Sequence, residues 1–265
     1  MSDSQPPEAD GAERPTGILD EPNEGRELHA TIDGIVYMRR PVRTHLVTVA
    51  DDAADVALRY ATQLGPEVAL VAVSERMVAI TQGRSHRMVD IRPGRLARFL
   101  VRFVTRPGYG IGLGTAETMQ LAIDEVGAPR ILLAAIVSGL TKPFGIHGLF
   151  YRIAGPQAAA IDGPTSYTIP PYNESATLGP SDPNGAARRL AAALDKPVAV
   201  IDANDAGVNV LGASPGVDRQ LVRRLFADNP LGQSREQTPI AVVERVDWPA
   251  DHPLPPEPKR RLTPP

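Results

Sequence analysis

"SDPNGAARRLAAALDKPVAVID", Ser181 to Asp202, sets two periodicities back to back. Asp182 and Pro183 form an N-cap and first-position pair. Ala187, Leu190, Ala191 and Leu194 then recur at helical spacing and share one face. Val198 to Ile201 follow as a short apolar run, the pattern of a buried strand. A helix that runs straight into a buried strand is the unit of an α/β or α+β chain.

The neighbouring stretches repeat that alternation. "HLVTV" (His45–Val49) reads as a strand, and "ADDAADVALRYATQLG" (Ala50–Gly65) reads as a helix with acids in its first turn. "EVALVAVSE" (Glu67–Glu75) and "MVAITQG" (Met77–Gly83) are rich in valine and isoleucine and read as strands. "GRLARFLVRFV" (Gly94–Val104) reads as an apolar helix with interspersed arginines. In "TAETMQLAIDEVG", Thr115 is an N-cap, Met119, Ala122, Ile123 and Val126 form one face, and Gly127 stops the helix. "VDRQLVRRLFAD" (Val217–Asp228) reads as a helix and "TPIAVVERV" (Thr238–Val246) as a last strand. The expected fold class is α/β, mixed with α+β; strand order does not follow from the pattern.

Composition narrows the function. The chain has 265 residues, 42% of them hydrophobic, and a net charge of −3. That balance supports a core and gives no basic field for nucleic acid. It has no cysteine, which excludes disulfides, thiolate zinc sites and cysteine nucleophiles. The acidic start, "MSDSQPPEADGAERPTGILDEPNEG", has no basic n-region or apolar h-region, so no signal peptide is expected. The most apolar run, "ILLAAIVSGL" (Ile131–Leu140), is half of the ~20 residues a membrane span needs. The reading is a cytoplasmic chain with neither membrane nor nucleic-acid partner. Residues 1–28 read as a disordered acidic tail, 29–247 as the folded domain and 248–265 as a Pro-rich extended tail.

Several stretches carry oxygen or nitrogen donors. "IDANDAGVNVLG" (Ile201–Gly212) places Asp202, Asn204 and Gly207 at positions one, three and six of a calcium loop. Ala206 and Ala213 stand at five and twelve, so the loop fails. Magnesium or manganese asks less: one or two carboxylates, with phosphate and water filling the octahedron. Asp162 and Asp205 each read as lying just past a strand, where they could meet at a sheet edge. The long loop Ala158–Pro183 adds Asn173 and Glu174, and "DNPLGQSREQTPI" (Asp228–Ile240) adds Asn229, Gln233, Glu236 and Gln237. "YGIGLG" (Tyr109–Gly114) spaces its glycines unlike a dinucleotide fingerprint and follows a helix, so it reads as a loop. His147, between glycines in "KPFGIHGLFYRIAG", reads as an accessible loop histidine.

The order of these motifs resembles the coenzyme F(420)-0:γ-glutamyl ligase family, which adds glutamate to a deazaflavin coenzyme. The resemblance spans about residues 42 to 246. It rests on "HLVTVADDAADVA", "VSERMVAITQGR", "HGLFYRIAGPQAAAID", "LGPSDPNGAARRLAAAL", "VAVIDANDAGVN" and "SREQTPIAVVER" in that order. It implies mixed sheets with flanking helices in a single compact unit of two interlocked lobes. It also implies an amide ligase that uses GTP (or ATP) and Mg or Mn to join glutamate to a small-molecule carboxylate acceptor, and a homodimer. Carried over by position, the metal ligands are Asp162, Asn204, Asp205 and Glu236, with Asp202 the choice if the register moves. The nucleotide contacts are Ser74, Arg84, Asn173 and Gln237. The chain departs from the family at its two lysines, near which stand Glu75 and Ile80. Those departures also fit a non-catalytic, ligand-binding relative that keeps the fold.

Overall fold

The computed structural model describes residues 16–62, 64–104, 112–145, 148–205, 207–232 and 234–260. Residues 1–15 of the acidic tail, Tyr109 to Ile111, His147 and Gln233 lie outside the described residues.

In chain order the strands are β1 (Gly17–Ile18), β2 (His29–Ile32), β3 (Ile35–Arg43), β4 (Val68–Ser74), β5 (Ser85–Arg87), β6 (Ser175–Thr177), β7 (Val198–Asn204), β8 (Gly207–Ala213) and β9 (Ile240–Val246). The helices are α1 (Ala53–Tyr60), α2 (Glu75–Thr81), α3 (Arg95–Leu100), α4 (Ala116–Val126), α5 (Ala128–Thr141), α6 (Leu149–Ala154), α7 (Pro156–Ala159), α8 (Pro183–Leu194) and α9 (Arg219–Leu225). Seven strands form one mixed sheet in the order β1-β3-β9-β4-β7-β8, with β2 also on β3; β5 and β6 form a separate ribbon. Only the β4–β7 pair is parallel among these ladders. The fold is mixed α and β, as expected.

Alternation along the central strands gives the sheet two apolar faces. Val71, Val73, Val198, Val200, Ile240 and Val242 point to one side, under α1, α2 and α8. Leu70, Ala72, Ala199, Ile201, Ala241 and Val243 point to the other, under α9, Phe226 and Leu231. Between α2 and α8 the chain leaves the sheet and builds a helical lobe with its own core, including Leu100, Met119, Ile131 and Ile161. Capping places many of the helices. Asp52 caps α1, Asp182 caps α8 through the Gly185 amide at 2.8 Å, Asp218 caps α9, and Thr115 and Thr118 form a reciprocal box at α4.

Three parts differ from expectation. His45–Val49 is not a strand: pairing of β3 with β9 ends at Val42–Ile240, and the chain then turns, with the Thr44 amide donating to the Gln237 carbonyl at 3.1 Å. Met77–Gly83 is not a strand: Met77–Thr81 is helix, and Gln82 and Gly83 form the turn after it. Ser74 starts the helix, and Met77, Val78 and Ile80 bury themselves at helical spacing, so packing outweighs β-branching. Residues 16–28 belong to the fold rather than to a disordered tail. β1 pairs with β3, and Asn23, only 5% exposed, donates to the carbonyls of Pro230 and Leu231 and to the Thr238 hydroxyl. Polar side chains do there what a count of apolar residues cannot register. The Pro-rich segment as far as residue 260 runs without regular structure against β2 and α9: the Thr31 amide meets the Pro256 carbonyl, and Glu257 pairs with Arg224; residues 261–265 of that tail lie outside the described residues.

Gly212 in β8 shows how closely α8 sits on the sheet. A Cβ there would lie 2.1 Å from the Pro183 carbonyl oxygen. Gly212→Ala should cost about 1–3 kcal/mol through overpacking, read as a lower urea midpoint. An unchanged midpoint would contradict this contact.

Candidate functional site

The parallel pair β4 and β7 aligns Ser74 with Ile201. The next residues in the chain are Glu75, the first of α2, and Asp202 in β7, so two carboxylates stand at the same edge of the sheet. Ligand sites in α/β sheets favour this edge, beyond the carboxyl ends of the strands. Asp162 approaches from the helical lobe. It does not end a strand: it follows α7 and is held in an isolated bridge, exchanging two 2.8 Å backbone hydrogen bonds with Thr177.

These groups border a cleft of about 760 Å³ between the sheet edge and the helical lobe. Such a volume suits a small-molecule ligand. Apolar walls come from Met77, Ile80, Ile169 and Tyr172. At the rim, His45 is fixed through both ring nitrogens, by the Tyr60 hydroxyl at 2.9 Å and Asp51 at 3.0 Å. The Thr48 amide donates to Asp51 and is the main cause that holds this carboxyl below the usual range.

The carboxylates feel one another. Burial, then the charges of Asp202 and Asp162, push Glu75 up to about 8, against the pull of Arg76. Burial and the charge of Asp162 also raise Asp202, partly offset by Asn204 and Arg76. Arg76 pairs with Asp162 through one guanidinium nitrogen and donates to the Thr168 hydroxyl through another, at 3.0 Å.

Of the residues singled out in the sequence, Ser74, Asp162, Asn204, Glu236 and Gln237 line this cleft. Arg84, Asn173 and Asp205 are not among its lining residues. Arg84 is held by the Gly179 carbonyl and Glu125. Asn173 lies in the 3-10 turn Tyr172–Glu174, of which Tyr172 faces the cleft. Asp205 sits beyond the end of β7, paired with Arg26 at 2.8 Å and accepting from Asn229. Asp202 therefore takes the place given to Asp205. Two lining residues also serve the loop: the Glu236 carboxylate accepts from the Ser234 amide at 2.7 Å, and Gln237 holds a left-handed backbone, φ 56°. Glu75 and Arg76 were not singled out as site residues. Their signal was position: they directly follow Ser74, where a buried strand ends.

Among the described residues, no trio of His, Cys, Asp or Glu converges as a metal cage. Asp162 and Asp202 both line the cleft, and the charge of Asp162 raises Asp202. No helix among the described residues is long and apolar enough to cross a membrane. No protein-family model matches this chain, and no curated protein matches it either.

Proposed function

We propose that the cleft is the reaction site of a nucleotide- and divalent-cation-dependent amide ligase of the γ-glutamyl ligase kind, acting in the cytoplasm on a small carboxylate acceptor. The observation that carries this reading is that Glu75, Asp162 and Asp202 line one cleft with Arg76, and that the charges of these groups act on one another. The acceptor's carboxylate oxygen takes the γ-phosphoryl group of GTP or ATP, releasing the nucleoside diphosphate. The amine of glutamate then attacks the acyl carbon, phosphate leaves, and the nitrogen gives up a proton. Asp162 and Asp202 would hold Mg or Mn, whose charge offsets that building on the transferring phosphoryl group. Arg76 offers the cation from the protein side, and Met77, Ile80, Ile169 and Tyr172 give the cleft its apolar walls.

Calorimetry with GTP and ATP, each with Mg or Mn, should show binding, and phosphate should appear once glutamate and a deazaflavin acid are added. Asp202→Asn should weaken that binding about tenfold or more, as losses at metal sites do. Absence of nucleotide binding with either metal would sink the ligase reading. It would leave a second reading, a ligand-binding protein without turnover, favoured by one observation: Arg76 is already engaged by Asp162.

A further inference from the structure

Among the described residues, Arg76 is the one arginine or lysine lining the cleft, against Glu75, Asp162, Asp202 and Glu236. Any anionic group entering there has this guanidinium to find. The two ends of that guanidinium are held differently. One nitrogen donates to Thr168, which is 4% exposed and sits on the loop facing α2. The other pairs with Asp162, in a contact whose side chains are 35% and 52% exposed. The first contact fixes position. The second adds little net stability, because solvent competes for both partners.

An arginine fork suits phosphate or carboxylate oxygens, and such bonds are strongest where water is excluded. An oxyanion held between the apolar walls therefore has the advantage over Asp162, which can turn back to solvent. We infer that Arg76 is an exchangeable anion-binding residue: an oxyanion of the ligand displaces Asp162 from its guanidinium while Thr168 keeps the guanidinium in place. The displaced carboxylate is then free to face a cation beside Asp202. That last consequence rests on the ligase reading; the exchange itself does not.

The exchange is tested on the full chain in buffer with EDTA, by calorimetric titration with inorganic pyrophosphate and, separately, with glutarate. The two arms tell a phosphate preference from a carboxylate one. For the anion that binds, Asp162→Asn should bind about fivefold tighter than the unaltered protein, because the competitor for Arg76 has lost its charge. Arg76→Gln should bind at least tenfold more weakly, and Arg76→Lys should fall between. Far-UV circular dichroism confirms that each variant is folded. Equal affinity of Arg76→Gln and the unaltered protein, or weaker binding by Asp162→Asn, overturns the exchange, as does binding of neither anion. Manganese binding, followed by the paramagnetic resonance of free Mn²⁺, reads the other half: Arg76→Gln should hold Mn²⁺ more tightly, since Asp162 is released. If no protein holds Mn²⁺ and the anion order stands, the ligase reading falls and the exchange remains.

Discussion

Arg39→Ala should lower folding stability by about 3–5 kcal/mol, the range for breaking a buried charge pair by removing one partner. The Arg39 side chain is fully buried. It donates to Asp228 and, at 2.6 Å, to the Leu225 carbonyl at the end of α9. It also donates to the carbonyls of Glu27 at 2.9 Å and Leu28 at 3.3 Å. One guanidinium thus fastens β3, the N-terminal segment and the α9 end together. Truncation takes this donor from the buried Leu225 carbonyl and from the part-buried Asp228 carboxylate, which costs more than the bonds themselves contribute. Urea unfolding near neutral pH measures the loss. A change below about 1 kcal/mol would mean that water fills the gap and that the network is not what holds this corner.

Glu75→Gln should have the opposite sign at high pH. In the folded chain Glu75 titrates at about 8, against 4.5 in the absence of burial. Below pH 4.5 the group is protonated in both states and costs nothing. Between 4.5 and 8 the unfolded chain ionises while folded Glu75 keeps its proton, so stability falls as pH rises. Above 8 the full cost remains. At about 1.4 kcal/mol per unit the ceiling is roughly 5 kcal/mol, and water at the open side of the cleft reduces it to about 2–4 kcal/mol. Glu75→Gln should therefore gain that much at pH 9 in EDTA and flatten the slope between pH 5 and 8. Asp202 is raised too and adds to the slope in the unaltered protein. Equal stability of the two proteins at pH 9 would refute the buried placement of this carboxyl.

Helices were legible where a cap and a face coincide. Thr115 and Asp182 each cap the helix expected of them, because capping is a local bond between neighbours. β7 and β9 were legible as short apolar runs bounded by polar turns. His45–Val49 and Met77–Gly83 were not, since their conformation depends on where the β3–β9 ladder stops and on which core covers α2. Residues 16–28 escaped for a related reason: Asn23 finds its acceptors more than 200 positions away, at Pro230, Leu231 and Thr238. The site was half legible. Asp162, Asn204 and Ser74 reached the cleft, but the choice between Asp202 and Asp205 turns on strand register. Asp202 follows the residue paired with Ser74, whereas Asp205 lies at the β7–β8 turn and meets Arg26. Glu75 needed the same register to be seen.

The position of β9 bears on how the chain is made. This strand, Ile240–Val246, is the last in sequence yet lies between β3 and β4. During synthesis both of those strands emerge long before the partner they share, and each waits with an open hydrogen-bonding edge. The sheet closes only when Ile240–Val246 has left the ribosome. Pairings this distant in sequence fold slowly, and waiting edges invite association with other chains. A nascent chain stalled before Ile240 therefore presents two half-sheets with their facing edges open, and synthesis of β9 is the event that ends that exposure.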